Sequence, residues 1–222
     1  YPGQNQPVVS NANFSIAPGA VIGVQGNDGS GRSTLLNLLR GELRPSNGRV
    51  LIGGVPSDSD KFQTIKPRIG YLGAAPAIFR GTILENLTLF RSERNNLAHA
   101  MSRLIGLDRA INLLPEGFEM KLGEGIADDL PVSISQQLCI VRALVNDTQV
   151  LVLDEVNTVL DRGAEAKLIE ALKYLAGGRT IFVATHRPSL LAACEGRLTI
   201  QDGRVNYSAP SSQMMTPEQV VA

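Results

Sequence analysis

Apolar positions along the chain fall into two regimes. Val21–Gln25, Arg49–Ile52, Ile69–Leu72, Val150–Leu153, Thr180–Ala184 and Leu198–Ile200 are short, largely apolar runs bounded by Gly, Pro or polar residues. That pattern predicts short strands, which in the outer parts of the chain read as a mainly parallel sheet. Val8–Ile16 alternates in the manner of a half-exposed strand, and Pro18-Gly19 closes it with a turn. Between Thr82 and Val145 the period lengthens. Ile83, Leu84, Leu87 and Leu89, then Leu104, Ile105, Leu107, Ile111, Leu113 and Leu114, recur at helical spacing. Helices are also predicted over Ser33–Arg40, stopped by Gly41 and Pro45, and over Ala164–Leu175. Strands and helices alternate in the outer parts, so these read as an α/β core, and the middle third reads as an inserted helical lobe.

Composition narrows the class. The 222 residues are 43% hydrophobic and 19% charged, ordinary for a globular domain. Lys+Arg and Asp+Glu are both 21, so no net field draws the chain to nucleic acid or an anionic membrane. No apolar run approaches the roughly 18 residues of a spanning helix. Cys139 and Cys194 stand far apart in apolar surroundings and read as free thiols rather than a disulfide or a zinc site. The chain begins at Tyr1 rather than Met, which reads as a piece of something longer. Its polar, Pro-punctuated end from Tyr207 reads as a loosely packed tail.

The chemistry concentrates in three places. Gly26-Asn27-Asp28-Gly29-Ser30-Gly31-Arg32-Ser33-Thr34 follows an apolar strand and opens a helix. It fits the phosphate-loop pattern G-x-x-x-x-G-K-[ST], except that Arg32 replaces the lysine. Such a loop needs glycines so that backbone N–H groups curl around phosphate oxygens. It also needs a helix N-terminus behind them, a hydroxyl for Mg²⁺ and a cation for the phosphates. Lys is a compact point charge, whereas a guanidinium is wide and forked, so Arg32 keeps the charge but changes its placement. Next, the apolar strand Val150–Leu153 ends in Asp154 and Glu155. The first carboxylate is suited to Mg²⁺ and the second to orienting or deprotonating an attacking water. Finally, His186 follows the strand Thr180–Ala184, at the edge where ligands of parallel sheets collect; His99, inside the helical stretch, reads as ordinary surface.

In this order the motifs resemble the nucleotide-binding domain of ATP-binding-cassette (ABC) transporters, over nearly the whole chain. Asp154–Asp161 is similar to the family's DEPTSALD, which makes Asp161 a residue facing a partner subunit. Tyr1-Pro2-Gly3 resembles the aromatic loop that stacks on adenine. Phe79–Leu87 resembles the LFSGTIxENI stretch of exporter-type members, and Leu114–Phe118 with Gly123-Glu124 is similar to type I secretion exporters. Besides Arg32, two further positions depart from the pattern. Ala74 stands where the family has the Gln of V-P-Q-x-P. The LSGGQ signature falls either at Leu130-Pro131-Val132-Ser133-Ile134 or, shifted, at Val132–Gln136, without its glycines in both registers.

What the resemblance implies is a P-loop NTPase core of the ABC type, with an antiparallel β element and an inserted α-helical subdomain. Residues 1–75 and 146–206 would form the core, about 76–145 the helical subdomain and 207–222 the tail. ATP and Mg²⁺ would bind at Gly26–Thr34, with Ser33 and Asp154 serving the metal, Glu155 and His186 catalysis, and Tyr1 the adenine. The expected partners are the transmembrane domain of an exporter and a second nucleotide-binding domain, with no nucleic acid, at the cytoplasmic face of a bacterial inner membrane. The departures imply attenuated turnover. Three alternatives stay open: a weakly hydrolysing regulatory half of an asymmetric pair, a non-transport ABC ATPase, and a P-loop kinase. Neutral charge and the Phe79–Leu87 stretch oppose the second; Glu155 and His186 oppose the third.

Overall fold

The computed structural model describes residues 7–123 and 130–209. In chain order the main elements are β1 (Val21–Gly26), α1 (Arg32–Leu39), the ribbon β2 (Leu51–Ile52) and β3 (Val55–Pro56), α2 (Phe62–Ile65) and β4 (Ile69–Leu72). Then come β5 (Gly81–Thr82), α3 (Ile83–Thr88), α4 (Asn95–Ile105), α5 (Leu107–Ile111), β6 (Lys121–Leu122) and α6 (Val132–Val145). The chain continues through β7 (Val150–Asp154), α7 (Arg162–Leu175), β8 (Thr180–Ala184), α8 (Pro188–Ala192), β9 (Gly196–Gln201) and β10 (Arg204–Ser208). Three short 3₁₀ turns lie between these elements. No helix among the described residues is long and apolar enough to cross a membrane.

Six strands form the central sheet in the order β10-β9-β1-β8-β7-β4, parallel throughout except for β10 against β9. The inner strands are apolar through their middles because both faces are covered, with polar Gln25, Asp154 and Thr180 only near their ends. Val21, Leu151, Leu153, Ile181 and Val183 face one side, where they pack with α3 to α7. Ile22, Val24, Val152, Phe182 and Ala184 face the other, against Leu35, Leu36 and Leu39 of α1. Register sets up the site: Val24 pairs with Ala184, which pairs with Asp154, so β1, β8 and β7 end level with one another.

The alternating segment Val8–Ile16 forms no strand. Its backbone pairs with the sheet at an isolated bridge between Ser10 and Arg204, with the Ser10 N–H donating to Gly203 O at 2.7 Å. Val9, Phe14 and Ile16 still pack on the α1 side of the sheet, so the pattern reports which side chains face inward without a neighbouring edge to pair. Helix α7 begins at Arg162 rather than Ala164, because the Asp161 carboxylate accepts from Ala164 N at 2.8 Å as its N-cap. Strand β10 runs on through Tyr207 and Ser208, into the segment expected as tail; residues 210–222 lie outside the described part.

Side-chain bonds to backbone fasten the helices of the middle third. Thr82 and Glu85 form a capping box at the start of α3. Asn86, fully buried, accepts from Phe79 N and donates to the carbonyls of Phe79 and Thr82, at 2.8–2.9 Å. Arg142 of α6 donates to Asn86 O at 2.7 Å, to Asn86 Oδ1 at 2.9 Å and to Ala77 O at 2.6 Å, and lies over the Phe79 ring. Gln136 and Cys139, on the same face of α6, donate to Gly73 O and Ala77 O. The segment containing Ala74 is thereby stitched to α6.

Candidate nucleotide site

The glycine loop leaves β1 at Gly26 and enters α1 at Arg32. Gly29 and Gly31 take left-handed backbone conformations, φ 77° and 99°, that only glycine adopts without strain. A Cβ on Gly31 would also sit 2.8 Å from Val8 O. No side chain caps the start of α1, which opens directly from the glycine loop, as in an anion site at a helix N-terminus. Asn27, Asp28 and Gly29 are exposed. An open pocket of about 870 Å³ lies between the loop and the β9–β10 turn, over Ile200 and Val8. Ser33 stands exposed in the first turn of α1, followed by Thr34.

Because β1, β8 and β7 end level, the chain leaving β7 and β8 arrives beside this loop. Glu155 turns immediately after β7 with φ 54°, a left-handed backbone rare for a residue with a side chain, held by its N–H donating to Ala184 O at 2.9 Å. Its carboxylate Oε1 lies 3.1 Å from Arg32 Nη1 and 3.4 Å from His186 Nε2. Arg32 Nη1 also donates to Gly26 O at 3.1 Å and lies 2.6 Å from His186 Nε2. Arg32, from the start of α1, and Glu155 and His186, from the turns after β7 and β8, therefore meet at one point.

Asp154, one residue earlier, has a neighbour that the sequence did not suggest. Tyr71 of β4 donates its hydroxyl to Asp154 Oδ2 at 3.2 Å, and Arg40 lies 3.7 Å over the Tyr71 ring. Burial, then the charge of Asp154 and the hydrogen bond to it, push the Tyr71 hydroxyl above its ordinary pKa, so it stays a donor. The available signal was Tyr71 in a strand that pairs with β7.

Behind His186 the chain is locked by a second network. Thr185 Oγ1 donates to Asn157 Oδ1 and accepts from Arg187 N; Arg187 pairs with buried Glu165 of α7 at 2.5 Å, and Ser189 also donates to Glu165. Burial works to raise the Glu165 pKa, but the bonds from Ser189, Arg187 and Asn157 and the Arg187 charge hold it below the ordinary value.

Other expected residues fall elsewhere. Tyr1 and Glu124 lie outside the described residues. His99 is half-buried, edge-on to Phe118 at 4.4 Å, rather than free surface. Asp161 caps α7. Both cysteines are free thiols, and burial pushes Cys194 up to about 11. Helix α6 starts at Val132, directly after Pro131, inside the segment where the signature falls. Pro131 and Val132 are exposed, whereas Ser135 and Gln136 are buried.

Does the site suit a nucleotide with Mg²⁺? Three buried polar atoms here have no hydrogen-bond partner: Ser30 Oγ, Arg32 Nε and Glu155 Oε1, the last held by charge alone. Two donors and an acceptor of this kind, on a glycine loop at a helix N-terminus, fit a polyphosphate and its attacking water. Ser33 and Asp154 offer the hard oxygens that Mg²⁺ prefers.

A glycine loop, an acidic strand end and a His at the carboxyl edge of a parallel sheet define the class of P-loop nucleotide-binding folds. The chain belongs to the ABC transporter family, whose profile matches residues 9–158. Over its full length it is 29% identical to the "ATP-dependent lipid A-core flippase" of Xylella fastidiosa (strain 9a5c), 38% of which it covers. It is 31% identical, again over its full length, to "ABC transporter B family member 26, chloroplastic" of Arabidopsis thaliana, covering 32% of that protein. The "Multidrug resistance-like ATP-binding protein MdlA" of Escherichia coli (strain K12) is 28% identical over 92% of this chain and 35% of its own. The chain thus spans about a third of the length of these relatives. The fold is shared with a bacterial Atm1-family ABC exporter with ATP bound, at a TM-score of 0.82 and 24% identity over 93% of this chain and 36% of the other.

Proposed function

We propose that the chain binds Mg-ATP on Gly26–Thr34 and hydrolyses it, at an attenuated rate, to drive export through a membrane domain. The meeting of Arg32, Glu155 and His186 beside the glycine loop carries this reading. In it, Glu155 orients the water and takes its proton as the water oxygen bonds to the γ-phosphorus and the bond to ADP breaks. Arg32 and His186 hold phosphate oxygens, and Tyr1 stacks on adenine. Ser33 and Asp154 would hold Mg²⁺, whose charge offsets that of the phosphates. The names of the relatives, a lipid A-core flippase and ABC transporters among them, support transport in a membrane setting, with this domain on its cytoplasmic face in our reading. The helical lobe at about 76–145 would meet the membrane domain.

Titration with a fluorescent ATP analogue should saturate, and Gly31→Asp should abolish binding. Glu155→Gln should keep binding and lose about 10²–10⁴-fold of turnover. Turnover equal to wild type in Glu155→Gln would refute the catalytic assignment.

A second reading, a weakly hydrolysing half of an asymmetric pair, is supported by the outward-facing Pro131 and Val132 at the start of α6.

A further inference from the structure

Arg32 stands where a phosphate-binding cation is expected, yet its guanidinium is committed to the protein itself. Nη1 carries two hydrogens for three neighbours. Gly26 O and His186 Nε2 receive them, at 3.1 and 2.6 Å. Glu155 Oε1, at 3.1 Å, is buried without a hydrogen bond and is held by charge. A guanidinium has no lone pair to offer, so a hydrogen bond here requires an unprotonated Nε2 and, in the neutral ring, a proton on Nδ1. Arg32 Nε is a buried donor left over. A lysine ammonium, a compact point charge without a fork, does not reproduce this arrangement.

Building on the nucleotide-binding reading, we propose that Arg32 is a positioning residue that clasps Glu155 and His186, and that a nucleoside triphosphate gains both only by drawing the guanidinium onto its own phosphates. The ligand supplies what the clasp lacks: oxygens for Nε and for the fork, in exchange for one carboxylate and one imidazole. Glu155 is thus paired until a polyphosphate arrives, and its release is tied to that arrival. The same exchange costs affinity, because each triphosphate must displace an internal counter-ion.

The ring proton gives a readout independent of activity. The 222-residue chain, with ¹⁵N-labelled histidine, is examined by NMR at pH about 8, above the ordinary imidazole range. His186→Gln assigns the signals. Without added nucleotide, His186 should show a proton on Nδ1 and an unprotonated Nε2; Arg32→Met should move the proton to Nε2. An Nε2–H ring in the wild type overturns the clasp even if Arg32→Met fails to fold. Mg-ATP affinity is then measured for wild type, Glu155→Gln, Arg32→Lys and the double variant. Glu155→Gln should tighten binding roughly tenfold beside Arg32 and by no more than about twofold beside Lys. Equal gains in both backgrounds also overturn it. Absence of saturable binding in all four proteins would instead refute the nucleotide reading, and with it the exchange, while the ring proton still reports the clasp.

Discussion

Glu155 combines a functional side chain with an expensive backbone. Its φ of 54° lies where a Cβ crowds the following carbonyl, at a cost of roughly 1–2 kcal/mol. The residue keeps that conformation because its N–H is tied to Ala184 O and its carboxylate to Arg32. Comparing Glu155→Gly with Glu155→Ala separates the two effects. Both lose the carboxylate, but only Gly relieves the backbone, so urea unfolding should find the Gly variant more stable by about 1 kcal/mol. An Ala variant as stable as Gly would mean that the turn stores no strain. Nothing in the sequence around Asp154-Glu155 announces this conformation, because it arises from the turn the chain makes between β7 and the segment held by Ala184. The same holds for Tyr71 and Asp154, 83 positions apart and joined only by the pairing of β4 with β7.

Among the elements, the inner strands were the most legible. β1, β7 and β8 are buried on both faces, and an unbroken apolar run is the direct imprint of that environment. Val8–Ile16 failed for the complementary reason: alternation encodes which side faces inward, whereas a strand also needs an edge to bond. Asp161, three residues before Ala164, marks the start of α7 as an N-cap, which a carboxylate just ahead of a helical run signals in sequence. The pairs that fix one element to another were illegible, since Glu165 and Arg187 stand 22 residues apart. That pair carries a pH dependence. With its folded pKa held below the ordinary value, Glu165 contributes stability above the unfolded pKa of about 4.3 and loses it as pH falls through the folded value. Glu165→Gln should therefore cost about 1–3 kcal/mol at pH 7. The gap between variant and wild type in urea unfolding should narrow as pH falls below about 4. A gap constant from pH 7 to 3 would show that the carboxylate charge contributes nothing.

At the scale of the whole molecule, the start of α6 bears on how two such chains would cooperate. In the asymmetric reading proposed above, this segment of one chain would face a phosphate held by the other, where glycines would let N–H groups approach closely. Here Pro131 lacks an N–H, and Val132 adds bulk at the surface. A partner with an intact signature would complete the Glu155 site, whereas a second copy of this chain would impair both sites. Purifying the complete transporter from its natural host should therefore yield two kinds of nucleotide-binding subunit. One subunit type with robust, substrate-stimulated hydrolysis would defeat the asymmetric arrangement. The same helix has a mechanical consequence. Its 14 residues make a rod about 21 Å long. Gln136, Cys139 and Arg142 rivet it to carbonyls of the segment beginning at Gly73. A shift of that segment would therefore pull on the middle of the rod and tilt its tip at Pro131, as a lever moves about its pin. The rivets grip main chain on either side of Ala74, so none of them depends on which side chain stands at that position.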